Sequence, residues 1–276
     1  MNFSFDKSKS SGKSFSKTLI LLIYIYIYIR LNNNVYFLIA IMKKILIWGG
    51  TGQIGTHLLR KLIKNNYTVT VVTRNIHQKG HLIKTQGNAG YIKIKECSIF
   101  EEDKIRKLFE KTDICINLIG ILYEKKNGNS FKNIHYIFPS LLAKLCKEYK
   151  LNQFIHLSAL GINEAVDSNY AKSKLEGEQN ALKIFPHTTV LRPSIVYSSS
   201  DNFSCNLMTL LNRLPVFPLY YNGETKFTPI HCSDLTDVIN YVISKKVNSN
   251  IIECIGPQIL SFREILVTLL KLINKK

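Results

Sequence analysis

Three side chains in the second half of the chain have the types and spacing needed to move a proton beside a carbonyl group. Ser158 ends a short apolar run, and Tyr170 follows twelve residues later at the start of a helical pattern. Lys174 lies four residues beyond Tyr170, so the two side chains share one face of a helix. An ammonium beside a phenol favours the phenolate and lowers its pKa. Ser158 can polarise a carbonyl while Tyr170 passes a proton.

Two further Tyr-x-x-x-Lys pairs show that context, rather than spacing, carries this interpretation. Tyr91 and Lys95 lie in a predicted strand, where four residues separate side chains by roughly 13 Å. Tyr241 and Lys245 follow no strand that ends in serine. We therefore predict that the catalytic residues are Ser158, Tyr170 and Lys174. The alternative is an ordinary exposed helix start that carries Tyr and Lys.

A glycine-rich turn near residue 50 predicts a binding site for a dinucleotide. The apolar run Ile45–Trp48 leads into glycines at 49, 52 and 55, and a helical apolar pattern follows. Strand, turn and helix in this order aim a helix N-terminus at a pyrophosphate. Glycines allow the tight turn, the close approach to the ligand and the helix–strand packing. The alternative is a turn that serves packing only. The predicted cradle consists of Gly49, Thr51, Gly52, Gln53, Ile54 and Gly55.

The end of the second predicted strand, Thr68–Thr73, indicates which dinucleotide binds. Arg74 stands nineteen residues beyond Gly55, where an NAD-binding chain usually presents a carboxylate to the ribose. No acidic residue occurs between Ile54 and Glu96, whereas an arginine suits a 2′-phosphate. We therefore favour NADP (NADPH) over NAD; the alternative is a solvated arginine. The remaining predicted cofactor contacts are Asn117 and Gly120 at the fourth strand, together with Tyr170 and Lys174.

Strand-like and helix-like runs alternate from residue 42 onwards. This rhythm predicts an α/β fold with a doubly wound parallel sheet, a Rossmann fold. We assign residues 42–197 to the NAD(P)-binding domain. Beyond residue 198 the rhythm loosens around prolines, which predicts a smaller C-terminal substrate lobe over residues 198–276. Ligands bind at the carboxyl ends of strands in such sheets, so this lobe is expected to cover the nicotinamide.

Residues 1–41 form a low-complexity, apolar extension. Eleven consecutive apolar residues span Leu19 to Ile29, but Arg30 and three asparagines interrupt the run. A membrane-spanning helix needs about 20 predominantly apolar residues. Met42 immediately precedes Lys43, where a Rossmann strand would open a protein. A mis-assigned start, a targeting segment and a membrane anchor all remain open for this extension.

The charge, cysteine and histidine content indicates which kinds of partner and ligand to expect. The formal net charge is +18, of which residues 1–41 contribute five basic and one acidic side chain. The positive charges are scattered and no nucleic-acid motif accompanies them, so we expect no nucleic-acid partner. The six cysteines are widely spaced and the seven histidines show no metal-ligand spacing. We therefore expect no metal, and small core cysteines in a reducing, cytoplasmic compartment.

The glycine turn, Ser158, Tyr170 and Lys174 in this order resemble the short-chain dehydrogenase/reductase superfamily, in its extended or atypical, epimerase/dehydratase-like branch. Further runs are similar to the NADPH-binding accessory subunit family of respiratory complex I and its bacterial relatives. These runs are Asn117-Leu-Ile-Gly-Ile-Leu-Tyr-Glu124, His156-Leu-Ser-Ala-Leu-Gly161, Tyr170-Ala-Lys-Ser-Lys-Leu-Glu-Gly-Glu178, Leu191-Arg-Pro-Ser-Ile-Val196, Asp201-Asn-Phe203 and Phe227-Thr-Pro-Ile230 with Asp234.

The resemblance implies a nicotinamide dinucleotide, an unknown small-molecule substrate, and a possible partner in respiratory complex I or a membrane surface, here at the inner face of the respiratory membrane. Two departures stand out: Tyr197-Ser-Ser-Ser200 replaces the usual glycine-containing run, and relatives continue beyond Phe262 with further helices. Two functions therefore stay open. The first is NADP-linked oxidoreductase or epimerase chemistry on a carbonyl or alcohol through the Ser-Tyr-Lys set. The second is a non-catalytic subunit that holds NADPH.

Overall fold

The computed structural model describes residues 42–87, 90–125, 128–199 and 201–275. Residues 43–276 form one structural unit. The extension over residues 1–41, with its three alternative interpretations, lies outside the described residues.

Strands recur along the whole of this unit. In chain order they are β1 (Lys44–Trp48), β2 (Thr68–Thr73), β3 (Ile92–Glu96), β4 (Ile114–Asn117), β5 (Gln153–Leu157), β6 (Thr188–Pro193), β7 (Val196–Tyr197), β8 (Lys226–Phe227), β9 (Ile230–His231), β10 (Ile251–Cys254) and β11 (Leu260–Ser261). The longer ones form a seven-stranded sheet in the order β10-β6-β5-β4-β1-β2-β3, with every pairing parallel. The chain winds outward from β1 to β3 and then crosses back to β4. The predicted doubly wound parallel sheet is confirmed.

Helices cover both faces of the sheet. They are α1 (Gln53–Lys64), α2 (Ile76–Lys84), α3 (Glu102–Phe109), α4 (Phe138–Glu148), α5 (Asn169–Ile184), α6 (Asn202–Arg213), α7 (Cys232–Ser244) and α8 (Phe262–Leu272), with a π-helix over Lys132–Ile137 and a 3₁₀ turn over Tyr220–Gly223. Alternate residues of β1 serve the two faces, as a pleated strand requires. Ile45 and Ile47 join the core with α1 and α7, and Leu46 and Trp48 join the core with α3 and α4.

The segment after residue 198 contributes to two structures. Its strand β10 pairs with β6 at the edge of the main sheet, and α7 packs against α1. The rest forms a small cluster of its own, in which α6 and α8 enclose Leu211, Ile265, Leu266 and Leu269. Two pairs of two-residue strands border it: β7 pairs with β9, and β8 pairs with β11.

Helix α2 and the π-helix are among the elements that the sequence patterns do not predict. Helix α2 was not predicted, because only Gly80 and Ile83 of its nine residues are buried and the apolar period is weak. The π-helix directly precedes α4, and hydrophobic spacing does not reveal a π-helix. In the described residues, no helix is both long and apolar enough to cross a membrane.

Candidate functional site

A cleft of about 450 Å³ opens at the carboxyl ends of β1 to β4. Since β1 leads outward to β2 whereas β4 lies on its other side, this is the point where the strand order reverses. Ligands of open α/β sheets bind at such a switch point. The cleft is lined by the glycine turn, the start of α2, the segment after β3 and the segment after β4.

The turn between β1 and α1 presents main-chain donors to this cleft. Gly49 has a φ of +80°, a left-handed conformation that suits glycine. The Gly52 N–H donates to the Gly49 carbonyl at 3.0 Å, and Gly52 then forms the N-cap of α1. Across the described residues no side chain caps this helix, and its first turn carries no acid. The helix N-terminus therefore fits a diphosphate.

Close backbone packing explains the third glycine of the motif. A Cβ placed on Gly55 would lie 2.4 Å from the Gly50 Cα, so only glycine fits where α1 crosses the turn. A Cβ on Gly49 would lie 3.1 Å from the main chain of Leu118, beyond β4. Added atoms at these positions would force the turn away from the sheet.

Some of the predicted cofactor residues line the cleft. They are Gly49, Thr51, Gly52, Arg74 and Gly120. These residues come from three different strand ends, so the fold brings together positions that are up to 71 residues apart in the sequence.

Other predicted cofactor residues point elsewhere. The Gln53 side chain donates from Nε2 to the Ser198 hydroxyl at 3.0 Å, and Ile54 packs against the core. Asn117 is fully buried and contacts the His156 Nδ1 at 3.2 Å. These side chains, like Gly55, shape the turn and the strand ends. Contact with a cofactor stays a prediction for them.

Two cations stand at the end of the cleft near β2. Arg74 and Lys79 are exposed and line it, and the Arg74 Nη1 lies 3.5 Å from the Asn129 Oδ1. The nearest acid along the chain, Glu96, accepts a hydrogen bond from the Ile76 N–H at 2.8 Å and is not among the lining residues. This end of the cleft is therefore cationic and suits an anionic group.

Lys174 lies at the other end, beside Gly120. Its side chain is buried, and the Nζ donates to the Leu157 carbonyl at 3.0 Å. A Cβ on Gly120 would lie 3.2 Å from that Nζ, so a lining residue of the cleft directly adjoins the amine. Burial lowers the pKa of Lys174 to about 8, and the Glu178 carboxylate opposes that shift.

The pKa of Tyr170 differs from the expectation, and the Ser158 hydroxyl is buried without a partner in the described chain. Burial raises the pKa of Tyr170, so the expected lowering of the phenol pKa by Lys174 is not met. The Lys174 amine donates to the main chain of β5 instead. Ser158 is 4% exposed, and its hydroxyl finds no hydrogen-bond partner among the described residues. A buried hydroxyl without a hydrogen-bond partner lowers the stability of the fold, unless another group, such as a ligand, supplies the partner.

Sequence reasoning missed His135, which lies on the π-helix between the cleft and α5. Its Nε2 accepts from the Ile121 N–H at 3.1 Å, so its Nδ1 carries the proton and donates to the Ser173 Oγ at 2.9 Å. Ser173 in turn donates to the Tyr170 carbonyl at 2.8 Å. Burial first, and Lys174 second, lower the pKa of His135 to about 3. No spacing signal links these residues in the sequence.

Packing of α5 against the π-helix depends on Gly177. A Cβ there would lie 1.7 Å from the His135 carbonyl oxygen. One turn earlier on the same helix, Lys174 contacts β5, and the buried Glu178, next to Gly177, pairs with Arg192 of β6.

In the described part of the chain, no group of three or more His, Cys, Asp or Glu side chains could hold a metal ion.

Curated proteins similar to this chain include mitochondrial subunits of NADH-ubiquinone oxidoreductase. The mitochondrial 40 kDa subunit of NADH-ubiquinone oxidoreductase from Neurospora crassa is 28% identical over 221 residues, which cover 79% of this chain and 57% of that subunit. Mitochondrial NADH dehydrogenase (ubiquinone) 1 alpha subcomplex subunit 9 from Dictyostelium discoideum is also 28% identical, and the match covers 80% of this chain and 61% of the relative. The chain thus spans about three fifths of the length of these relatives.

Solved structures with the same fold include a dTDP-glucose 4,6-dehydratase from Streptomyces venezuelae with NAD bound. It superposes with a TM-score of 0.71 at 17% identity, over 84% of this chain and 82% of that protein. The family model described as the NAD dependent epimerase/dehydratase family matches residues 45–254. The resemblance that the motifs indicated is confirmed, and the chain belongs to the NAD dependent epimerase/dehydratase family.

Proposed function

We propose that this protein binds NADP(H) in the cleft at β1 to β4 and acts as an oxidoreductase on a carbonyl or alcohol group. One observation carries the proposal: the buried Lys174 amine adjoins Gly120, which lines the cleft, and Tyr170 lies one turn away on the same helix. This arrangement supports a role for Tyr170 in proton transfer at the Gly120 end of the cleft. Arg74 and Lys79 lie at the opposite end.

The residues present fit a nicotinamide dinucleotide with a 2′-phosphate. The uncapped N-terminus of α1 would hold the diphosphate, and Arg74 with Lys79 would hold the 2′-phosphate. Gly120 would let a ribose approach the Lys174 amine. When bound, the cofactor supplies or accepts the hydride.

The side chains then bind the substrate oxygen and transfer its proton. In the reductive direction the substrate carbonyl carbon gains the hydride, and the Tyr170 hydroxyl donates its proton to the carbonyl oxygen. The Ser158 hydroxyl, which lacks a partner in the described chain, would donate a hydrogen bond to the same oxygen. The oxidative direction reverses each transfer, with Tyr170 accepting the proton of the alcohol.

A Tyr170→Phe variant tests this proposal. In the full-length protein, NADPH oxidation over a panel of carbonyl compounds should fall at least about 100-fold, the lower range for loss of a general acid. NADPH affinity, followed by its fluorescence, should stay within about twofold. Tyr241→Phe is the matched control, because Tyr241 is exposed and belongs to another Tyr-x-x-x-Lys pair. Tight NADPH binding without turnover on any carbonyl would contradict the oxidoreductase proposal.

A second candidate is a subunit that holds NADPH inside a respiratory membrane assembly. The relatives that are complex I subunits favour it, and so does the pKa of Tyr170, which burial raises rather than lowers. Tagged full-length protein should then copurify with complex I subunits from solubilised respiratory membranes. The Tyr170→Phe variant should copurify equally well. Copurification without turnover would select this candidate, and turnover without copurification would reject it.

A further inference from the structure

A second cleft, of about 260 Å³, lies in the segment that follows β6. Its lining is made mostly of apolar side chains, and none of its eleven described residues is charged.

Two helices form facing walls of this cleft. Phe203 and Ser204 come from the first turn of α6, while Ile265 and Leu269 lie four residues apart on one face of α8. Tyr197, on β7, forms a third wall. Ile265 and Leu269 are 8% and 6% exposed and belong to the small core of this segment, so the apolar floor is anchored by packing.

The apolar cleft lies close to the reactive end of the protein along the main chain. The Ser158 N–H donates to the Leu191 carbonyl of β6 at 2.7 Å, and the Leu160 N–H donates to the Pro193 carbonyl at 3.0 Å. Strand β6 ends at Pro193, and Ile195 lines the cleft two residues later. The strand that flanks Ser158 therefore leads directly into the cleft wall.

The chemistry of the lining decides what class of molecule fits. A sugar nucleotide carries a diphosphate, and recognition of phosphate requires cations or a cluster of main-chain donors. An uncharged, apolar lining with a few polar groups is instead typical of a site for a largely hydrophobic small molecule. An apolar cavity of about 150 Å³ already holds a benzene ring, so this volume admits a larger ring or a short hydrocarbon chain.

We propose that this cleft binds the apolar chain or ring of an uncharged substrate, whose carbonyl or alcohol group is turned towards Ser158 and Tyr170. The inference rests on the proposed oxidoreductase function for its meaning as a substrate site. Binding to the cleft does not depend on the dinucleotide, so the two proposals can fail separately.

Fluorescence titration of the full-length protein with N-phenyl-1-naphthylamine, an uncharged apolar probe, tests the proposal. Filling the cleft from either wall, with Thr268→Phe on α8 or Ser204→Phe on α6, should weaken probe binding at least tenfold. Val267→Phe is the matched control, since Val267 is exposed like its neighbour Thr268 but does not line the cleft. This control should bind the probe as the unaltered protein does. In the unaltered protein 1-decanol should displace the probe and UDP-glucose should not.

Equal probe affinity in Thr268→Phe, Ser204→Phe and the control would overturn the proposal, because the probe would then sit elsewhere. Displacement by UDP-glucose but not by 1-decanol would also overturn it. NADPH affinity is measured on the same samples by NADPH fluorescence. If the unaltered protein does not bind NADPH but binds the probe as expected, the proposed function is refuted and the apolar site remains supported.

Discussion

The two clefts of this protein are built from different parts of the chain. The dinucleotide cleft lies at the ends of long, parallel strands, and Gly49, Gly52 and Gly120 are among its lining residues. The apolar cleft is made of side chains on two helices and two-residue strands, and its floor is the small cluster around Leu269. A side chain or charge added at the glycine turn would block the first cleft, whereas larger side chains on the two helices would fill the second.

This difference teaches which positions control each site. In the first cleft, a Cβ or a charge at the glycine turn should abolish binding while ordinary side-chain changes have modest effects. In the second, volume at Thr268 and Ser204 should dominate. Three measurements on the first cleft would sharpen or break that contrast.

The largest effect is expected from Gly52→Asp. Asp is a good N-cap residue, so α1 should remain folded, but its carboxylate would occupy the place and charge of the diphosphate. NADPH affinity should fall by about 100-fold or more, because a charge-assisted contact of about 1.5–3 kcal/mol becomes a repulsion. Fluorescence titration measures it, with thermal unfolding as the folding check. Ser261→Asp, at the N-cap of α8, is the control and should leave NADPH binding unchanged. Retained NADPH affinity in Gly52→Asp would place the dinucleotide elsewhere.

Arg74→Ala should have a smaller and selective effect. The side chain is exposed, so solvent weakens its contribution, and NADPH affinity should fall about tenfold. NADH affinity should hardly change, since NADH lacks the 2′-phosphate. Lys95→Ala, an exposed cation on β3 that does not line the cleft, is the control. Equal losses for NADPH and NADH would refute the preference for NADP.

The smallest effect is a pH dependence from Lys174. The pKa of this amine is about 8, so it is mainly charged below that pH and mainly neutral above it. Affinity for NADH should therefore fall a few-fold as pH rises from 7 to 9, because a buried cation beside the ribose is lost. NADH is the better probe, since it carries no 2′-phosphate to titrate. Lys174→Met should bind weakly with a flat profile over the same range. A profile in Lys174→Met that matches the unaltered protein would assign the dependence to another group.

Much of the fold could be predicted because local patterns and tertiary packing agree over the first half of the unit. Strand β2 has the predicted bounds, β1 begins one residue before its apolar run, and the predicted turn lies between Trp48 and the start of α1 at Gln53. Strand β10 and the π-helix were missed. Four residues at a sheet edge carry too little pattern, and a π-helix differs from an α-helix only in its hydrogen bonds.

The candidate site divides in the same way. Ser158, Tyr170 and Lys174 could be singled out from order and spacing, and Arg74 from its distance to the turn. His135 could not, since its partners Ile121 and Ser173 meet it only after α5 packs on the π-helix through Gly177. The direction of the Tyr170 pKa also required burial, which spacing does not report.

The amino-acid order alone determined the strand–turn–helix unit and the cation that follows β2, because each depends on residues close together in the chain. It also determined the family, because the motifs that carry the resemblance can be read along the chain without the fold. Only the tertiary structure decided which carbonyl the Lys174 amine reaches, and that the C-terminal segment encloses an uncharged cleft. Those properties arise from side chains far apart in sequence, whose burial and contacts exist only once the sheet and its helices have assembled.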